Sequence, residues 1–242
     1  SKFIISNYDG SNRQEISGVD YYSFVFSPDD TYIAFTNNNV YGETEIRIAP
    51  VDNLSNYNII FTIDNWIEIT DWKSNYIFFS ANGFANRIKS DGTNLKTFGS
   101  YNYKVSPLGD KVIYSDDDGN CYISNSDGTN VKKIISDLDI DISDWNFNFS
   151  PDGSKIVIGA LDKIFLVNSD GSGLVLYRQG SEYSFYNYFT EESVFYIPDN
   201  NKIAYNWWGD LFIGNYSSYI SPLEYQSYNL SSFNKSKKNL AI

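Results

Sequence analysis

Phe149-Ser150-Pro151-Asp152-Gly153-Ser154-Lys155-Ile156-Val157-Ile158 is the stretch of sequence that decides the fold. A Pro-Asp-Gly turn stands between an aromatic residue and a β-branched run, which is typical of two short strands joined tightly. The same pattern recurs at residues 26–35 and 105–114, with weaker copies at 71–79, 197–205 and 233–242. Such internal repetition indicates one structural unit that is used several times.

The spacing of the copies gives the size of this unit. The first apolar residue of each second strand recurs about every 41 residues on average, at Ile33, Ile77, Val112, Ile156, Ile203 and Leu240. A four-stranded propeller blade takes roughly 40–45 residues. The sequence therefore predicts an all-β fold, in which residues 1–242 form a single domain that is a six-bladed β-propeller of four-stranded antiparallel blades.

A second motif runs in phase with the first. It reads Ser-Asp-Gly-Thr-Asn at 90–94 and 126–130, with related sequences at 8–12 and 169–172. Asp-Gly between short β runs favours a hairpin, because Gly accepts a positive φ and Asp bonds its own backbone. Each blade is thus predicted as strand A, the Ser-Pro-Asp-Gly turn, strand B, a variable loop, strand C, the Asp-Gly turn and strand D.

The two chain ends fall at complementary points of the repeat. The sequence begins with strand C at residues 3–5 and strand D near residues 15–16, and it ends on strand B at residues 240–242. We therefore expect the last blade to be closed by strands from both termini, with Asn239–Ile242 paired to Lys2–Ser6. This closure would pair strands that are otherwise exposed edges.

The two motifs, Phe-Ser-Pro-Asp-Gly-Ser-Lys-Ile at 149–156 and Asn-Ser-Asp-Gly-Thr-Asn at 125–130, resemble the repeat of TolB-like propellers. The resemblance covers essentially the whole chain. It implies a six-bladed fold whose members mostly bind other proteins, and a location in the cell envelope or outside the cell.

Charge and composition limit the classes of partner. The net charge is −12, and a surface this acidic repels the phosphates of nucleic acids and of anionic membranes. No apolar run approaches the 18 residues of a membrane span. A cationic protein surface, a metal ion or a neutral sugar fits this charge, and a closed ring favours a monomer.

The residue types needed for common enzyme chemistry are scarce. The sequence has no His and a single cysteine, Cys121, which follows the acidic residues 116–118. Acidic neighbours raise the pKa of a thiol, so Cys121 is predicted to be structural and not a nucleophile. We therefore expect that this protein is not an enzyme. A hydrolase or lyase that uses paired carboxylates in the channel is the open alternative.

The variable loops, on the side opposite the recurring turns, are where function is expected. Aromatic residues that map there are candidates for partner binding, because flat rings suit protein hot spots and sugar rings. These candidates are Trp66, Tyr101, Trp145, Tyr183, Tyr186, Tyr188, Trp207 and Trp208. For Trp66 and Trp145, which fall near strand A, packing between blades is the alternative.

Acidic residues suggest a metal site. Asp116 and Asp118 lie in the loop between strands B and C of the third blade, and Asp139 and Asp141 belong to an alternating acidic segment. Their carboxylates offer oxygen ligands to Ca²⁺, with solvated turn residues as the alternative. No other cofactor is expected.

These observations favour a non-enzymatic binding or scaffold module that holds a protein or peptide partner on its loop face. The alternative is a carbohydrate-binding module of a cell-surface or secreted protein, with polysaccharide as the ligand.

Overall fold

The computed structural model describes residues 2–17, 23–100, 102–136, 145–160, 163–179, 194–196, 202–207, 210–215 and 227–228. Every regular element in these ranges is a β-strand. The chain divides into two compact units, one of residues 1–101 with 126–128 and the other of residues 102–125 with 129–242.

The first unit contains a two-stranded sheet and two four-stranded sheets. The two-stranded sheet consists of β1 (Lys2–Ile5) and β2 (Gln14–Ser17). The first four-stranded sheet consists of β3 (Phe24–Phe26), β4 (Tyr32–Asn38), β5 (Thr44–Pro50) and β6 (Asn58–Ile63). The next consists of β7 (Ile67–Lys73), β8 (Tyr76–Ala81), β9 (Phe84–Lys89) and β10 (Lys96–Ser100).

The second unit contains three four-stranded sheets. They are β11 (Tyr103–Val105), β12 (Lys111–Ser115), β13 (Cys121–Asn125) and β14 (Lys132–Ile135), then β15 (Trp145–Phe149), β16 (Lys155–Ala160), β17 (Lys163–Asn168) and β18 (Val175–Gln179). The last is β19 (Val194–Tyr196), β20 (Lys202–Trp207), β21 (Asp210–Asn215) and β22 (Ser227–Tyr228).

Strands of each four-stranded sheet pair antiparallel in chain order, as the A, B, C, D layout predicts. This confirms the predicted four-stranded antiparallel sheets, and sheets of this kind fit the blades of a propeller. The described residues form five such sheets together with the pair β1–β2, which are the predicted strands C and D of a sixth. The predicted closure by Asn239–Ile242 lies outside the described residues.

The Ser-Pro-Asp-Gly turn is organised around its serine. The Ser150 hydroxyl donates to Asp152 Oδ1 at 2.6 Å and accepts from the backbone N–H of Lys155 at 2.9 Å. Gly153 closes the turn by donating its N–H to the Ser150 carbonyl, at a φ of 72° that suits glycine. Because Ser150 is fully buried, its side chain satisfies backbone groups that water cannot reach.

The Asp-Gly turn uses the same chemistry at the other hairpin of the blade. Asp170 Oδ1 accepts from both the N–H and the hydroxyl of Ser172, at 2.8 and 2.6 Å. The N–H of Asn168 donates to the Ser172 carbonyl, and Gly171 donates to the Asn168 carbonyl. The copies at 8–12, 90–94 and 126–130 contain the equivalent backbone bond, from the N–H of Asn7, Lys89 and Asn125 to the carbonyls of Ser11, Thr93 and Thr129.

Within each unit, the apolar faces of neighbouring sheets form the core. In the first unit, buried residues of β4 and β5 such as Ile46 pack with residues of β7, β8 and β9, and the rings of Phe61 and Phe79 lie 5.1 Å apart. In the second, Ile113 and Cys121 pack with residues of β15 and β16. Full burial of each large apolar side chain contributes about 1.5–3 kcal/mol.

Candidate functional site

The antiparallel order of each sheet separates its connections into two ends. The A–B and C–D turns lie at one end, which we call the turn end. The B–C loops and the chain entering strand A lie at the other, which we call the loop end. At the turn end, exposed apolar residues occupy the same repeat position after successive Asp-Gly turns, namely Leu95, Val131 and Leu174.

At the loop end, residues 39–43 connect β4 and β5 as an ordered five-residue loop. Its backbone closes through Asn39 N–H to the Glu43 carbonyl at 2.8 Å and Gly42 N–H to the Asn39 carbonyl. The Asn39 side-chain oxygen also accepts from the N–H groups of Tyr41 and Glu43. The tip, Val40 and Tyr41, is 92% and 86% exposed.

Residues 116–120 connect β12 and β13 with the same backbone pattern. Asp116 N–H donates to the Asn120 carbonyl, and Asp116 Oδ1 accepts from the N–H groups of Asp118 and Asn120. Here the tip is acidic, since it consists of Asp117 and Asp118, which are both exposed. Two loops thus share one hydrogen-bonded backbone arrangement and present different side chains at their tips.

A groove of about 240 Å³ opens at the loop end of the first unit. It is lined by residues 36–38, Gly42, Thr44 and residues 64–67. Trp66 is its large aromatic residue and is 48% exposed. The backbone N–H of Trp66 donates to the side-chain oxygen of Asn65. The Asn65 side-chain amide in turn donates to the side-chain oxygen of Asn82, in the turn between β8 and β9. These bonds fix the backbone that carries the indole.

The loop end of the first unit is acidic. Its connections and the adjoining strand ends, residues 36–44, 62–68 and 80–85, contain Glu43, Asp64 and Glu68 but no Lys or Arg. Asp64 is exposed and is the charged residue among those that line the groove. The potential at this end therefore favours a cation over an anion.

A cavity larger than this groove lies at the turn end of the first unit and was not expected from the sequence. It has a volume of about 990 Å³ and is lined by residues 5–7, 12–14, 30–32 and 50–52 together with Phe26. It lies between the sheet β1–β2 and the sheet β3–β6. Its lining residues belong to the strand ends and turns of two sheets, so only the packing of these sheets reveals it.

The structure places three of the predicted aromatic residues. Trp66 is exposed beside the groove, whereas Trp145 is 4% exposed and stacks on Phe147 with ring centroids 5.6 Å apart. Trp145 therefore packs in the core of the second unit, which is the alternative that its position near strand A left open. Trp207 is the last residue of β20. The other candidates, Tyr101, Tyr183, Tyr186, Tyr188 and Trp208, lie outside the described residues.

Of the four predicted metal ligands, Asp116 has its oxygens engaged by the protein. Its Oδ2 accepts from the Tyr122 hydroxyl at 2.8 Å and from the Asn120 amide at 2.9 Å. Partial burial raises the pKa of Asp116, but hydrogen bonds from Asn120 and Tyr122 lower it by more, so the net pKa is below its usual value. Asp118 is exposed at the loop tip.

Asp139 and Asp141 lie outside the described residues. Within the part of the chain that the structure describes, no three acidic, His or Cys residues cluster as metal ligands. Calcium binding stays a prediction.

Cys121 is fully buried in β13. Burial raises the pKa of its thiol well above the usual value, and the nearby charge of Asp116 raises it further. A buried thiol with a raised pKa is a poor nucleophile, and the burial of Cys121 agrees with the structural role predicted for it. The part of the chain that the structure describes contains no helix long and apolar enough to cross a membrane.

The sequence matches no protein-family model, and a comparison with the curated proteins also found no match. Solved structures show similarity of fold. Hsv2 from Kluyveromyces lactis has a TM-score of 0.56 at 14% identity, over 84% of this chain and 62% of that one. The propeller-fold oligogalacturonate lyase from Vibrio parahaemolyticus has a TM-score of 0.50 at 10% identity, over 76% and 62%.

TolB from Acinetobacter baumannii is similar at a TM-score of 0.46 and 18% identity, over 88% of this chain and 57% of that one. The chain thus spans less than two thirds of the length of each of these three proteins. Together with the four-stranded sheets, the similarity to Hsv2 and to the lyase shows a propeller-type fold.

Proposed function

We propose that this chain is a non-enzymatic binding module that holds a protein or peptide partner at its loop end. The observation that carries the proposal is the pair of B–C loops, 39–43 and 116–120, with one hydrogen-bonded frame and different tips. In both loops, the backbone hydrogen bonds that hold the conformation are the same, and only the exposed tip residues differ. The tip residues are therefore free to vary for recognition without changing how the loop folds.

The chemistry of the first loop supports a protein partner. Val40 and Tyr41 expose apolar surface on a loop whose backbone is already ordered, so binding loses little conformational entropy. Trp66 and Phe84 add exposed aromatic surface at the same end of the neighbouring sheet. Aromatic residues are enriched among those that dominate protein–protein binding energy.

Capture of partners from the soluble and envelope fractions of the source organism tests the proposal. We expect a protein that is retained by the wild-type chain and lost with a Val40→Ser/Tyr41→Ser variant. The control is Tyr8→Ser, which removes another highly exposed tyrosine, at the turn end of the two-stranded sheet. A partner lost equally with both variants, or with neither, would contradict a loop-end site.

Ionic strength provides a second readout of the same complex. Acidic residues at the loop end attract a cationic partner, and salt screens such exposed charges over about 8 Å at physiological strength. We therefore expect capture to weaken as the salt concentration rises.

Carbohydrate binding is the second candidate function, because an exposed indole such as that of Trp66 also suits the face of a sugar ring. Retention on neutral polysaccharide, with release by free sugar and loss in Trp66→Ala, would favour it over a protein partner. A location in the cell envelope or outside the cell belongs to the proposal and rests on the TolB-like motif resemblance.

A further inference from the structure

We propose that the loop-end groove beside Trp66 receives an arginine side chain of the partner. This inference rests on the proposed function, because it assigns one contact of the loop-end site. It concerns residues 36–38, Gly42, Thr44 and 64–67, which all belong to the first unit.

The size of the groove suits one side chain. Pockets for drug-sized ligands have volumes of roughly 300–1,000 Å³, and the groove measures about 240 Å³. A single extended side chain, entering from a peptide that lies across the loop tips, fits the volume.

The charge of the groove selects a cation. Asp64 is the charged residue of its lining, and it makes no ion pair with any described residue. The Arg47 guanidinium is held elsewhere in the sheet, where it bonds Glu45 at 2.7 Å and stacks over the Tyr57 ring at 4.3 Å. The Asp64 carboxylate is therefore available to a cation from outside.

The exposed indole favours arginine over lysine. A planar guanidinium stacks on an aromatic face and at the same time bonds a carboxylate through two N–H groups. Trp66 and Asp64 are two positions apart on one connection and line the same groove. The Asn65 side chain accepts from the backbone N–H of Trp66 and donates to the Asn82 side chain. The connection between β6 and β7 is therefore ordered in the absence of a partner.

The test uses N-acetyl-arginine amide as the probe and the full chain labelled with ¹⁵N at its tryptophan indoles. The Trp66 indole signal is assigned by its loss in Trp66→Phe. We expect this signal to shift and saturate with the arginine probe. N-acetyl-citrulline amide, which has the same shape without the charge, should bind at least about tenfold more weakly, because it loses the charge-assisted hydrogen bonds.

Two substitutions that each remove one negative charge test whether Asp64 is the carboxylate that binds the probe. Asp64→Asn should weaken binding of the arginine probe about tenfold. Asp52→Asn is the control, since Asp52 is exposed at the turn end of the same sheet and its replacement changes the net charge equally. We expect the control to bind the probe as the wild type does.

Equal binding of the arginine and citrulline probes, no shift at Trp66, or equal weakening by the two Asp variants would each overturn the arginine pocket. Partner capture that is lost with Val40→Ser/Tyr41→Ser would still support the loop-end proposal in those cases. A saturating Trp66 shift without any loop-dependent partner would overturn the proposed function alone.

Discussion

Gly10 and Gly92 occupy the same position of the Asp-Gly turn but have different surroundings. Their φ angles are 80° and 81°. A Cβ added at Gly10 would meet no heavy atom within 4 Å, whereas one at Gly92 would lie 3.2 Å from the Ile60 carbonyl oxygen on the neighbouring sheet. The sequence predicts the positive φ at both sites, but only the packing of two sheets distinguishes them.

Substitution of these glycines should therefore destabilise the chain unequally. Gly10→Ala should lower the free energy of unfolding by about 1–2 kcal/mol, the cost of a left-handed backbone for an L-residue. Gly92→Ala should lower it by more, because β6 must also move. Urea unfolding of both variants measures the difference, and equal losses would show that the contact with Ile60 is unimportant.

Carboxylates in the recurring turns have lowered pKa values. The Ser150 hydroxyl and then the Ser154 N–H and hydroxyl hold the pKa of Asp152 below its usual value, and Ser27 and Thr31 do the same for Asp29. A carboxyl whose pKa is lower in the folded state stabilises the fold above its unfolded pKa of about 3.9. That stabilisation is lost as the pH falls through the folded-state pKa.

Asp152→Asn removes one of these titrations. The variant should melt at a lower temperature than the wild type at pH 6, since a neutral amide accepts weaker hydrogen bonds. The gap should narrow below about pH 3.9, where the wild-type carboxyl is protonated too. Melting curves from pH 2.5 to pH 6 give the readout, and a gap that is independent of pH would contradict the assignment.

Elements of the first unit are joined by a contact that the repeat pattern does not predict. Strand β7 has a bulge between Ile69 and Asp71 where its pairing with β8 shifts. Ser23, just before β3, donates its hydroxyl to the Ile69 carbonyl at 2.8 Å and accepts from the Ile69 N–H. One side chain thus satisfies both backbone groups of a buried residue on the next sheet.

Ser23→Ala should leave those two groups without a partner. Each unsatisfied buried polar group costs about 1–3 kcal/mol, so we expect a loss of that order in the free energy of unfolding. Ser55→Ala, at an exposed position between β5 and β6, is the matched control and should have little effect. A similar stability of the two variants would contradict the role of Ser23.

An analogous link occurs in the second unit. The Asn102 amide, just before β11, donates to the Trp145 carbonyl of β15 at 3.0 Å. The residue before β3 and the residue before β11 are thus short polar side chains that each bond the strand A of the following sheet. Ser23 and Asn102 differ in type, so the sequence alone did not reveal this shared task.

For the whole molecule, the repeat makes a prediction about the chain ends. Strand β1 pairs with β2 along one edge, from Lys2 opposite Ser17 to Ile5 opposite Gln14, and no other described strand pairs with it. An unpaired edge is open to association with other chains. The proposed partner for this edge is the segment Asn239–Ile242.

Deletion of Asn239–Ile242 tests the closure. If this segment pairs with β1, its removal should lower the melting temperature and promote association of the chain, because an edge strand becomes exposed. Thermal melts and light scattering of the truncated and full chains would show both effects. An unchanged melting temperature would contradict the pairing of Asn239–Ile242 with β1.

The sequence by itself determined the strands, their order within a blade and the chemistry of both turns. These are local matters, because a serine, an aspartate and a glycine at fixed spacing satisfy one another within about six residues. The turn at 106–111 has Leu108 where the motif has aspartate. There, Asp110 takes the place of that aspartate and accepts the hydrogen bond of the Ser106 hydroxyl at 2.7 Å.

Only the tertiary structure decided which aromatic residues are available for binding. Trp66 and Trp145 hold similar places near strand A, yet one is exposed and the other buried. Their exposure depends on what packs against each of them, and that neighbour is distant in sequence. The groove and the large turn-end cavity likewise arise between segments that are far apart along the chain, for which a repeat pattern carries no signal.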